Sequence, residues 1–168
     1  MPRLLEWQKP GGSEFRWMQT STYQAVSGAG AEGVTELEDQ VKSKITGQAT
    51  EAKSDPVFQH PIAFNLIPHI DDFREDGYTK EELKMRNETK KILGLPSLQV
   101  SCTCVRVPVY RAHSISINAE FDSPVNVPDA RTALENFNGV ELWDLPNALR
   151  YPMPINYSEK ELCGVGRL

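Results

Sequence analysis

Ser27-Gly28-Ala29-Gly30-Ala31-Glu32-Gly33 places glycines at 28, 30 and 33, the G-x-G-x-x-G spacing of a dinucleotide-binding turn. The β-prone run "TSTYQAV" (20–26) precedes it and reads as a strand. "VTELEDQVKSKI" (34–45) follows, with Val34, Leu37, Val41 and Ile45 at helical spacing and Gly47 placed to end the helix. A working fingerprint also needs a second strand that ends on an acidic residue about 20 positions later. "QATEAKSDP" (48–56) is polar and offers no such strand. The flanks fit a dinucleotide site and the second half does not, so a tight strand-to-helix turn is the competing reading.

Further elements extend from that point. "PIAFNLI" (61–67) is a short apolar run and reads as a buried strand. Thr79-Lys80-Glu81-Glu82 is a capping box, which predicts a helix over 79–93 stopped by Gly94. "LQVSCTCVRVPV" (98–109) is rich in β-branched residues. "SISINAEF" (114–121) alternates, with Ile115, Ile117, Ala119 and Phe121 on one face. A helix is predicted over 129–138 and a last strand at "VELWDL" (140–145). Helices and strands without regular βαβ alternation indicate an α+β domain on a mixed, largely antiparallel sheet, with helices 31–46, 79–93 and 129–138 on one face. The other face is expected to be apolar and to form a dimer interface. Residues 1–19 hold two of the three tryptophans and Pro10-Gly11-Gly12 without a clean period, and read as a poorly ordered lead-in.

The 168 residues fit one domain. The net charge of -5 comes without a basic stripe, which argues against nucleic acid. No apolar run approaches the ~20 residues of a membrane span, and the first residues lack a signal-peptide core. Three cysteines, an odd number, point to a reducing compartment: the cytoplasm, or an organelle matrix.

His113 stands out among the side chains. It lies between two strands and beside Arg106 and Arg111, where a neutral imidazole can serve as a general base. His60 and His69 read as ordinary loop or structural histidines. Cys102 and Cys104 share one strand face without a second ligand pair, so they read as buried small hydrophobes and no metal site is expected. Cys163, near the end of the chain, reads as inert. Glu81 and Lys84, three apart on the capped helix, read as a solvated face.

Six stretches, in order, resemble the catalytic and dimerisation half of aspartate-semialdehyde dehydrogenase: "STYQAVSGAG" (21–30), "AFNLIPHID" (63–71), "EDGYTKEELKMRNETKKILG" (75–94), "SCTCVRVPVYRAHSISIN" (101–118), "YPMPINY" (151–157) and "GVGRL" (164–168). The likeness runs over residues 20–168 and leaves 1–19 as a non-family leader. It implies the fold of the C-terminal domain of glyceraldehyde-3-phosphate-dehydrogenase-type enzymes, a homodimer, and NADP as cofactor. It also implies a reductive dephosphorylation of aspartyl-β-phosphate to the semialdehyde. The glycine stretch is then not the dinucleotide fingerprint of such an enzyme. The resemblance gives Gln24 to substrate positioning and Ser27 and Gly28 to the nicotinamide end of the cofactor. Arg106 would hold the substrate α-carboxylate, Glu81 its amino group and Lys84 the phosphate, with His113 as the general base. The family's nucleophile lies in an Asn-Cys-Ser/Thr segment that these residues do not contain, so the chain by itself is expected to be inactive. The alternative expectation is a catalytically silent dimerisation module that pairs with itself or a full-length partner. A relative acting on N-acetyl-glutamyl phosphate fits the "RVPV" and "EELK" elements less well.

Overall fold

A computed structural model describes residues 15–48 and 55–168. Strand β1 (Phe15–Ala25) is central in a three-stranded sheet. Strand β2 (Gln99–Val107) pairs with it in parallel, and β3 (Ser114–Phe121) pairs antiparallel on its other side. The sheet is therefore mixed, and with its helices the domain is α+β. β1 begins at Phe15, five residues ahead of the strand expected from sequence, so the last part of the anticipated lead-in belongs to the sheet. Residues 1–14 of that lead-in, and 49–54 of the polar loop after Gly47, lie outside the described residues.

Cross-strand partners share a face, which fixes the sheet's two sides. Thr20, Thr22 and Gln24 of β1 pair with Cys102, Cys104 and Arg106 of β2, and all six are buried. Helix α2 (Lys80–Leu93) covers this face over β2, with Met85 and Ile70 against the two cysteines. Ile115 and Ile117 of β3 pair with Thr22 and Thr20, so they share that face, but they lie beyond the cover and are 49% and 57% exposed. The opposite face carries Gln19, Ser21, Ser101, Thr103, Ser116 and Asn118. It also carries Trp17, Tyr23 and Val105, but it is less apolar than expected because the strict alternation of β3 turns its isoleucines toward the α2 side.

At the carboxyl end of β1 the chain makes one 3₁₀ turn (Val26–Ala29) and enters α1 (Gly30–Thr46), which ends on Gly47 in the left-handed conformation, φ 67°. Two of the three glycines have a structural explanation. Gly30 has φ 83°, outside what most side chains allow. A Cβ at Gly33 would meet the Val26 carbonyl at 2.7 Å and Phe58 at 3.1 Å. α1 packs on this turn and on the segment 57–67 rather than on the sheet face, in a core of Val26, Leu37, Phe58, Ile62 and Ile67.

The run 61–67 is not a strand. Ile62, Ala63 and Ile67 are buried while Phe64 and Leu66 are exposed, and only Ile67 bridges, to Arg106. Its amides find other partners: Gln40 on α1 accepts from Ile62 N at 2.8 Å and Ala63 N at 3.0 Å. Neighbouring Glu36, also buried, accepts from Val57 N. Helix α3 (Val127–Glu135), capped by Asn126, packs on β4 (Val140–Leu142), which pairs in parallel with β5 (Cys163–Val165) in a small second sheet. This third helix therefore belongs to the second sheet and not to the face of the first.

Candidate active site

The carboxyl ends of β1 and β2 and the start of β3 meet around the main chain of one residue, Ala25. Arg106 Nη1 donates to the Ala25 carbonyl at 2.7 Å, and the Ala25 N–H donates to His113 Nδ1 at 3.1 Å. The connection from β2 to β3 crosses over this point. Val109 and Tyr110 accept, through their carbonyls, from Val26 N and Ser27 N. Parallel pairing places Gln24 opposite Arg106, and Ala25, the next residue, turns its backbone to both functional side chains. Ala25 is not visible as a site residue in the sequence, because it contributes main chain only.

Gln24 is buried on the face below α2. Its Oε1 accepts from the Thr22 hydroxyl at 2.9 Å, and its Nε2 donates to Glu81 Oε1 at 3.2 Å. The other oxygen of Glu81 pairs with Lys84 Nζ at 3.5 Å. Glu81 and Lys84, which spacing alone assigns to a solvated face, are thus linked to Gln24. The helix that bears them is fixed by Glu82. One carboxylate oxygen of Glu82 accepts from Thr79 N at 2.8 Å and closes the capping box. The other accepts from Cys104 N at 3.1 Å, tying α2 to β2 two residues before Arg106. The capping box is legible in the letters; this second tie is not.

Arg106 is 7% exposed. Phe58 lies under it, with the guanidinium carbon 6.0 Å from the ring centroid. Among the described residues it makes no ion pair and spends one N–H on Ala25. Burial lowers its pKa, while Glu81 and Asp71 pull the other way. A buried guanidinium without a carboxylate partner is costly, and an anionic ligand removes that cost.

His113 has its pKa lowered, first by partial burial and then by the charge of Arg106, against Glu81 and the Ala112 carbonyl. His113 is itself exposed, so solvent moderates both causes. With Nδ1 accepting from Ala25, the neutral ring carries its proton on Nε2. Gly28 lies beside both groups. A Cβ there would stand 2.7 Å from Arg106 Nη1 and 3.3 Å from His113 Nε2, so the missing side chain keeps this surface open.

The five residues Gln24, Glu81, Lys84, Arg106 and His113 and the turn at Ser27 and Gly28 are thereby linked in one constellation. Cys102 and Cys104 are buried and Cys163 exposed. Cys102 Sγ lies 3.6 Å from Cys104 Sγ. The shared proton pushes the Cys102 thiol above the usual range and lowers Cys104. Among the described residues no cluster of three or more His, Cys, Asp or Glu could hold a metal ion.

A profile of the family "Semialdehyde dehydrogenase, dimerisation domain" matches residues 12–168. The chain belongs to this semialdehyde dehydrogenase family. An aspartate-semialdehyde dehydrogenase of Aquifex aeolicus is 47% identical over 148 residues, 88% of this chain and 43% of that protein. The chain spans somewhat less than half the length of such curated relatives. In the solved structures, aspartate semialdehyde dehydrogenase II of Vibrio cholerae complexed with ASA superposes with a TM-score of 0.85 at 37% identity. That match covers 98% of this chain and 48% of that one. The Candida albicans enzyme with NADP, at 22% identity, TM-score 0.64 and coverage of 98% and 43%, shares the fold alone. Semialdehyde dehydrogenase membership thus accounts for the α+β fold, and the matched residues correspond to the family's dimerisation domain. The family match begins at residue 12, ahead of residue 20, where the resemblance in the letters begins.

Proposed function

We propose that this chain is the substrate-binding and proton-transfer half of an NADP-linked aspartate-semialdehyde dehydrogenase of the cytoplasm. The observation that carries the reading is Arg106: a buried guanidinium without an ion-pair partner among the described residues, flanked by the open surface at Gly28 and by His113 Nε2. Its planar fork suits a carboxylate, and the bond to Ala25 fixes its orientation. Glu81 offers an oxygen to the substrate ammonium, and Lys84 its charge to the phosphate. Gln24 presents a carboxamide whose ends are already assigned by Thr22 and Glu81.

His113 works through Nε2. In the resting tautomer this nitrogen holds the proton and donates a hydrogen bond from it to an oxygen on the leaving side; release of the proton itself would require the imidazolium. Taking a proton there from a thiol requires the other tautomer, at the expense of the Ala25 bond, so the donor role is the one this geometry favours. Ser27 and Gly28 fit the nicotinamide end of NADP, since a Cβ at 28 would fill the space between them and the two catalytic side chains. When bound, the cofactor supplies the hydride. Cys102 and Cys104 are packed under α2 and Cys163 lies on β5 of the second sheet, so this reading assigns the thiol nucleophile to none of the three.

The purified chain is expected to bind aspartate semialdehyde and inorganic phosphate, with shifts at Gly28 and His113 in NMR titrations, and Arg106→Ala is expected to abolish those shifts. Phosphate-dependent reduction of NADP by the chain alone should stay at background. Turnover that vanishes in His113→Ala would show that one of its own thiols acts, and binding that survives Arg106→Ala would remove the substrate assignment. A silent dimerisation module, favoured by the exposed isoleucines of β3, predicts no saturable binding of either ligand.

A further inference from the structure

A carboxamide has two ends of nearly equal size, and only its partners decide which faces a ligand. Gln24 meets two partners on the buried face of the sheet. Glu81, when ionised, only accepts, so it requires Nε2; the Thr22 hydroxyl then donates to Oε1 at 2.9 Å. The two constraints differ in durability. Glu81 is shared, since its second oxygen faces Lys84 and a bound ammonium would compete for the first. Thr22 is 2% exposed, lies on the strand itself and has no ligand to compete for it.

We propose that Thr22 is the positioning residue that keeps the Gln24 carboxamide in one orientation when a ligand draws Glu81 away. If the amide flipped, the hydroxyl would have to accept from Nε2 and turn its own proton elsewhere. The alternative acceptor beside it is the Cys104 sulfur, which already feels the Thr22 hydroxyl. Sulfur is the weaker acceptor, so the flip exchanges an O–H···O bond for an O–H···S one. Thr22 thereby favours one orientation without touching the ligand. The importance of this for catalysis rests on the functional reading above; the orientation itself does not.

The test uses the 168-residue chain and the side-chain NH₂ resonances of Gln24. In a Glu81→Ala background, which imitates the diverted carboxylate, Thr22 is expected to keep the Gln24 pair dispersed and slow to exchange. Adding Thr22→Val, close in size but without the hydroxyl, should collapse the pair to the shifts of a free carboxamide, and Thr22→Ser should restore it. Backbone amide spectra report whether each variant is folded. Thr22→Val alone, with Glu81 intact, gives the second measurement: faster exchange of the Gln24 NH₂ group with backbone shifts unchanged beyond β1. A Gln24 pair that is identical with and without the hydroxyl in both backgrounds overturns the proposal. None of these measurements needs turnover, so their outcome is independent of whether the dehydrogenase assignment holds.

Discussion

His113 shows how a neighbouring cation and a backbone donor together set the state of one ring. Its lowered pKa places the titration midpoint below the ordinary 6.5. An NMR titration of the His113 ring should show this, and Arg106→Met should move the midpoint upward by removing the repulsion. Nitrogen shifts should identify Nε2 as the protonated position in the neutral ring. The sign for stability follows from linkage. As pH falls, the unfolded chain takes up this proton first, near 6.5, so the folded state loses stability between that value and the lower folded midpoint, and is flat in this respect above it. Replacement by Gln should remove that part of the slope. The position of His113 between two strands is legible in the sequence, whereas the contacts that tune it are not. Ala25 lies 88 positions from His113 and 81 from Arg106, and no periodicity spans such distances. Thr22 carries a signal that can be read: it sits two residues before Gln24, on the same strand face. A threonine in a strand, however, also satisfies plain β preference.

At the scale of elements, α2 illustrates one side chain serving two structures. Glu82→Ala removes the capping contact and orphans the buried Cys104 N–H, for a combined loss of roughly 2–4 kcal/mol. Thermal denaturation checks the total. Hydrogen exchange separates the parts: the Cys104 amide should lose protection in Glu82→Ala and keep it in Thr79→Ala. Helix ends are readable because caps are local. Thr79, Gly47 and Gly94 each act within one turn of their own helix. The segment 61–67 imitates a strand in the letters because an apolar run records neither its hydrogen-bond partners nor which of its residues, here Phe64 and Leu66, stay exposed. Gln40 supplies the acceptor that a neighbouring strand would have provided, from 22 residues away. The orientation of β3 departs from expectation for a related reason. Alternation separates two faces, but only pairing with β1 decides which face looks toward α2.

For the molecule as a whole, the exposed Ile115 and Ile117 leave β3 as an apolar strip at the open side of the sheet. The family is described by dimerisation, and a second copy on that strip is the arrangement to test. Sedimentation at micromolar concentration is expected to show a dimer, and Ile117→Glu should shift it toward monomer while the circular dichroism spectrum stays the same. A monomer in the parent chain would remove β3 as the interface. The Ala25 main chain has a different consequence, for how such a site tolerates change over generations. Its two anchoring bonds belong to atoms that every residue except proline provides. A comprehensive mutational survey would record position 25 only as a place for something small, since the methyl is fully enclosed. The anchor itself would escape the survey, passing unseen through every viable allele, and would show itself in one column alone: proline, which lacks the N–H that holds His113, should silence the site even where the strand survives.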